Sequence, residues 1–204
     1  MKKQCTLIIM LLIGSIAFSQ QLYVETGKRG SSFEYYDSEN NKLGNIYSKS
    51  YDYLAFGLQN ENIIKNVNIS IGLIYGGYGA IASDDILEQY MEWNLKYLEY
   101  DSSIDVKIFS IRKLKVFMKG GISLGLMTKG TQILNKQVID LKGNKDFENL
   151  LINFKGGVGL IYPISTEVSF FTHYLMGRSN DIIPGDEKLR IVSNNLGIGL
   201  LINY

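Results

Sequence analysis

What most constrains this chain is a period-two alternation between two unlike residue sets. From Leu114, one face carries Leu114, Val116, Met118, Ile122, Leu124 and Leu126, and the other Lys115, Phe117, Lys119, Gly121, Ser123 and Gly125. The pattern recurs from Val67 to Tyr75, with Asn68, Ser70, Gly72 and Gly76 opposite. It recurs again from Ile152 to Tyr162, with Asn153, Lys155, Gly157 and Gly159 opposite, and from Leu196 to Tyr204, with Asn195, Gly197, Gly199 and Asn203 opposite. Successive side chains of a strand point to opposite faces, so each of these segments reads as a two-faced strand. Less regular segments at Leu22–Tyr36, Ser50–Leu58, Leu98–Phe109 and Glu167–Met176 bring the predicted total to eight.

The connections sort by length. Asp37–Ser48, Ala80–Asn94, Thr128–Asn149 and Gly177–Lys188 are long, while Gln59–Asn66, Ser110–Lys113 and Pro163–Thr166 are short, in strict alternation. Barrels that span a bilayer carry long loops at one end and tight turns at the other, and they use an even number of strands. The fold class that follows is all-β: an eight-stranded antiparallel up-and-down transmembrane β-barrel. Within the second long connection, Asp84 and Asp85 are expected to cap a short helix running to Trp93.

Alternation alone does not say which face meets hydrocarbon, because a barrel in water turns its aliphatic face inward. The composition of the polar face decides the matter. It is mostly Gly, Ser and Asn with isolated Lys and Glu, thinner in charge than a water-facing surface and small enough for the narrow lumen of eight strands. The doublets Gly76-Gly77, Gly120-Gly121 and Gly156-Gly157 lie inside apolar runs, where small barrels need strand curvature. None of them has the spacing of a phosphate-binding loop. The chain holds 21 Gly and 14 Tyr but only 2 Pro and 1 Trp. Beyond the N-terminal segment no apolar run reaches the length of a membrane helix, so strands must do the crossing.

The ends carry sorting information. Met1-Lys2-Lys3, the apolar run Leu7–Ile13 and the small residues Ala17 and Ser19 predict a secretory signal peptide over residues 1–19, leaving 20–204 as one barrel domain. Its removal changes 21 basic and 20 acidic residues to 19 and 20, a balance that argues against a nucleic-acid binder built on a basic patch. Cys5 is the only cysteine and lies in that leader, so the mature chain has no disulfide, thiol redox pair or thiolate metal site. At the other end Leu196, Ile198, Leu200, Ile202 and Tyr204 repeat at every second position up to a terminal aromatic. This arrangement resembles the assembly signal of outer-membrane barrels, and the barrel-assembly machinery is the partner it implies.

The leader ending Phe18-Ser19-Gln20-Gln21, and Met176-Gly177-Arg178-Ser179-Asn180-Asp181-Ile182 leading to Leu196-Gly197-Ile198-Gly199, resemble the outer-membrane β-barrel (PorT-like) family of Bacteroidota. The resemblance covers the mature chain and implies an outer-membrane location. That family has no shared catalytic residues to carry over.

Candidate chemistry is sparse, and no cofactor is expected. His173 is the only histidine. Lipid A deacylases use a His-x-Ser-Asn arrangement, but here Leu175 stands where the serine belongs. Ser179-Asn180 follows six positions on, about 20 Å along a strand, whereas nucleophile and base need hydrogen-bond contact. His173 is therefore read as a lumen or interface residue. Glu25, Glu99, Asp105, Lys107, Lys115, Lys119, Lys155 and Glu167 are expected to share the interior as a network of alternating sign that plugs the barrel, since buried charges need partners. Tyr75, Tyr78, Tyr90, Trp93 and Tyr97 are expected at one rim, as an aromatic belt or a docking surface for another envelope protein. The expected function is a non-enzymatic structural or interaction subunit in outer-membrane lipid, with a narrow channel as the alternative and a lipid A-modifying enzyme behind that.

Overall fold

The computed structural model describes residues 20–203 except 43, 85–88, 143–148 and 183–187. The leader read over 1–19 and Tyr204 of the C-terminal signal lie outside the described residues. The strands are β1 (Gln20–Tyr36), β2 (Ile46–Ile64), β3 (Val67–Asp84), β4 (Gln89–Ile111), β5 (Leu114–Leu134), β6 (Gln137–Asp140), β7 (Leu151–Pro163), β8 (Val168–Ser179) and β9 (Lys188–Asn203). Eight of them form the antiparallel order β4-β3-β2-β1-β9-β8-β7-β5, and a β4–β5 pairing closes the ring. The first and last strands meet along their length, from Gln21 opposite Asn203 to Tyr36 opposite Lys188. Strand β6, which the alternation did not predict, is a four-residue flap paired to the loop end of β5.

The aliphatic face points out. Leu124, Leu160 and Ile198 are 38%, 39% and 47% exposed, and Leu54, Phe56, Ile104 and Met118 join them in a belt around the wall. Such a belt is stable in hydrocarbon and not in water. Its height on β4 runs from Leu98 to Ile108, within the roughly 9–11 residues that a tilted strand needs to cross a bilayer. At the turn end, two-residue connections join β2 to β3 and β4 to β5. Asn66 and Arg112 take the left-handed backbone that such turns require, with φ 68° and 52°.

Two expectations about the connections are corrected. Most of Ala80–Asn94 is strand: β3 runs on to Asp84, β4 starts at Gln89, and these two residues pair across the hairpin. No helix therefore runs on to Trp93, which lies in β4; Asp85, the other expected cap, lies outside the described residues. Likewise Gln59–Ile64 belongs to β2, not to a connection. The first five strands hold 17, 19, 18, 23 and 21 residues, against 13 and 12 for β7 and β8. One side of the wall thus rises far beyond what a bilayer needs.

The glycines of the inner face serve packing more than hydration. Tyr23 stands opposite Gly57, Tyr53 opposite Gly27, Phe117 opposite Gly159 and Phe171 opposite Gly199, so a large ring is beside a residue with no side chain in each pair. These rings, with Ala55, Ile74, Ile161 and Leu201, fill the lumen toward the turn end. A methyl group on Gly57 would stand 2.1 Å from the Ile71 carbonyl oxygen and 2.7 Å from the Tyr23 ring, whereas one on Gly120 would meet nothing within 4 Å. Overpacking of this kind costs about 1–3 kcal/mol. Gly57→Ala is expected to lower the folded fraction seen as the heat-modifiable band on a gel, and Gly120→Ala to leave it unchanged. Equal behaviour of the two would contradict this packing.

Candidate functional site

The interior has two layers. Toward the loop end, Phe33, Tyr78, Ala80, Leu95, Tyr97, Leu151, Leu189 and Ile191 pack together, with Leu141 and Ile182 brought in from the loops. This apolar plug closes the loop end of the lumen. It exists because the alternation changes sense above the bilayer: inside the belt the aliphatic residues face out, whereas above it water is outside and the aromatic and aliphatic residues face in.

Below the plug lies a set of buried ion pairs. Arg29 and Glu99 are 1% and 0% exposed, and Arg29 Nη1 donates to Glu99 Oε1 at 2.6 Å. Arg29 Nε donates to Asn195 Oδ1 at 2.7 Å, while Glu99 Oε2 accepts from Ser123 at 2.8 Å and Tyr78 at 3.1 Å. The guanidinium lies 4.2 Å from the Tyr78 ring centroid, and Tyr78 OH accepts from Asn153 at 3.2 Å. One ion pair thereby ties together β1, β3, β4, β5, β7 and β9. Further pairs are Lys155–Asp101 at 2.6 Å and Lys119–Asp105 at 3.1 Å, with Gln59 donating to Asp105 at 3.1 Å. Glu25 accepts from Tyr53 OH at 2.6 Å and faces His173 Nε2 at 3.1 Å. The cavity among these groups measures ≈ 30 Å³, room for about two water molecules.

Among the residues singled out from the sequence, Glu25, Glu99, Asp105, Lys119 and Lys155 are brought together here. Lys107 and Lys115 stand instead at the turn-end mouth, lining a separate vestibule with Glu61, Asn68 and Asp105. Lys107 is exposed because the β4–β5 register slips between Lys107 and Phe109, next to the turn. Glu167 is outside the lumen altogether: it occupies the β7–β8 turn, where its backbone N–H is held by Ser165 Oγ at 3.3 Å. Arg29, Asp101 and His173 are network members that the charge reading did not include. Their signal was parity, since Glu25, Gly27 and Arg29 share a face.

His173 and Ser179 do not form a catalytic pair. Both lie on β8, and Ser179 Oγ is engaged with the backbone, donating to Asn180 O at 2.7 Å and accepting from Ile191 N at 2.8 Å. Among the described residues no cluster of His, Cys, Asp and Glu has the makings of a metal site.

The rim differs from the aromatic belt expected of it. Tyr78 and Tyr97 are buried in the plug, and Trp93 is half-buried against it with its ring 5.6 Å from that of Phe33. Tyr90 alone of the proposed docking trio is exposed, at the tip of the tall wall, where its hydroxyl donates to Glu92. Tyr75 faces outward in the belt. The loops above are held by their own polar contacts. Asp37 accepts N–H groups from Asn41 and Glu39 at 2.8 and 3.0 Å, and these hold its carboxyl below the usual range. Asp181 is held low by its hydrogen bonds from Arg190. Of the C-terminal signal, Leu196, Ile198 and Leu200 face outward and Ile202 is half-buried.

No protein-family model matches the chain, and no curated protein does. Among solved structures it is similar to neisserial surface protein A (NspA), at 12% identity over 90% of this chain and 97% of that one, with a TM-score of 0.52. Outer membrane protease OmpT from Escherichia coli overlaps at 7% identity, 91% and 97% coverage and a TM-score of 0.48. Outer membrane protein OprG from Pseudomonas aeruginosa overlaps at 10% identity, 92% and 97% coverage and a TM-score of 0.47. At such identities the likeness to NspA is one of fold, and the fold is the closed antiparallel barrel described above.

Proposed function

We propose that this chain is an integral outer-membrane β-barrel acting as a non-enzymatic structural or interaction subunit, whose working surface is the tall wall on the loop side. The observation that carries this reading is the plug. A lumen closed by packed aromatic and aliphatic side chains, with its buried charges paired below, offers no path for solute, and among the described residues no reactive group stands where a substrate would reach it. Accessible above the bilayer is the projecting part of β2 to β5, with Tyr47 of β2 and Tyr90 of β4 exposed on either side of β3. On this reading the barrel's companion is another envelope protein, as in a larger outer-membrane secretion or assembly complex.

Two measurements test the reading. Purified barrel in planar bilayers is expected to give no conductance above the lipid background, and regular current steps would overturn the sealed lumen. Co-purification from mildly solubilised outer membrane is expected to recover the barrel with a stoichiometric companion that is lost when Tyr47 and Tyr90 are both changed to Lys. Recovery of the bare barrel alone would overturn the interaction role.

A further inference from the structure

We infer that Lys96 and Lys129 form a site for a phosphate-bearing lipid headgroup in the loop-side leaflet. The two lysines are direct cross-strand partners in the β4–β5 ladder. Like charges placed opposite each other destabilise a sheet, so the pairing calls for an anion between them. The described residues supply none: among them neither lysine is in an ion pair, although other outer-surface cations near the rim are. Lys28 is paired with Asp52, Lys49 with Glu92, Arg178 with Glu34 and Arg190 with Asp181.

Position names the occupant. Directly beneath the lysines, Leu98 and Leu126 face each other as the last outward aliphatic pair of the belt on these strands. The ammonium groups therefore stand at the boundary between hydrocarbon and water, where long cationic side chains reach toward headgroups. A register slip sets their spacing. Lys96 pairs with Lys129 but Tyr97 pairs with Met127, so Thr128 is squeezed out of the ladder and its hydroxyl donates to the Lys96 carbonyl at 3.1 Å. On the other side, the Lys96 ammonium lies 5.1 Å from the centre of the Tyr51 ring. That ring rests over Gly77 and Gly79, where a methyl group would meet it at 2.6 and 2.8 Å. Its hydroxyl is held by Asn94, which also binds Lys49. The result is a platform that holds the Lys96 ammonium above a lipid-facing wall, with the exposed Lys129 as its cross-strand neighbour, an arrangement suited to one phosphate and its acyl chains. The inference needs the bilayer placement and does not depend on the lumen being sealed or on a protein partner.

The test uses the full barrel in detergent and native mass spectrometry, with bis-phosphorylated lipid A as one probe and its enzymatically dephosphorylated form as the other. The wild type is expected to retain the phosphorylated lipid and release the dephosphorylated one. Lys96→Gln with Lys129→Gln is expected to weaken retention on the order of 30-fold, taking about fivefold for each lysine near a headgroup, while Lys28→Gln leaves it unchanged. Stability supplies a readout of opposite sign. Without phosphorylated lipid, Lys129→Gln alone relieves repulsion and is expected to raise the unfolding midpoint, and with that lipid it is expected to lower it. Equal retention of both lipids, an unaltered double variant, or displacement of the lipid by inorganic phosphate at matching concentration would each overturn the assignment.

Discussion

Glu99→Ala is expected to destabilise the barrel by about 3–5 kcal/mol, because it leaves the Arg29 guanidinium buried without its counter-charge. Both groups are buried, and the other contacts of Arg29 are Asn195 and two tyrosine rings, none of which carries a negative charge. Urea unfolding of barrel folded into lipid vesicles reads the loss directly. Trp93, the only tryptophan, is half-buried against the plug above the pair and reports its opening by fluorescence. The paired replacement Arg29→Met with Glu99→Leu removes both charges and keeps the volume, so it is expected to recover most of the loss. A Glu99→Ala barrel that unfolds at the wild-type urea concentration would show that the pair does not hold the strands together. A double variant as unstable as the single would show that shape, not charge, is what matters there.

The second large effect is on the outer wall. Ile122→Lys is expected to cost about 2–4 kcal/mol, the penalty for a cation near the bilayer midplane, with the cost falling toward zero at the interface. The matched control is Tyr47→Lys, which also places a lysine at an exposed apolar side chain, in the part of β2 that stands above the belt. In water the two substitutions would be nearly equivalent, and both would be mild. In lipid they separate. Equal unfolding midpoints for the two variants would remove the hydrocarbon from around Ile122 and with it the membrane placement of the belt.

The strands that cross the bilayer were legible in the sequence because there the two faces differ most in chemistry. Leu114 to Leu126 and Ile152 to Tyr162 present aliphatic residues against glycine and small polar groups, and their orientation followed from what the polar face lacked. The parts above the bilayer were not legible, and the reason is physical. Once water replaces lipid outside, the inward residues become the apolar ones. On β4 the outward Leu98 and Tyr100 give way to inward Trp93, Leu95 and Tyr97, so one strand carries two opposite patterns joined at Lys96. Read with a single pattern, the far part looks like a loop with a helix in it, and its tyrosines look like a rim. The lumen charges were legible where regular alternation placed them, as at Glu99 and Lys119. Glu167 failed because a turn, not a strand, governs that position. Arg29 was passed over because it follows Lys28, and a basic doublet hides the fact that its two members point in opposite directions.

A plain cylinder looks the same from every bearing, and this one does not. With β4 at 23 residues and β8 at 12, the molecule has a front and a back when seen from above. A component that reaches across the membrane surface toward it meets the longest strands from one compass direction only. An assembly built on such a piece is directional from the start: each copy fixes the heading of the next component, and no turning motion about the membrane normal leaves the encounter unchanged.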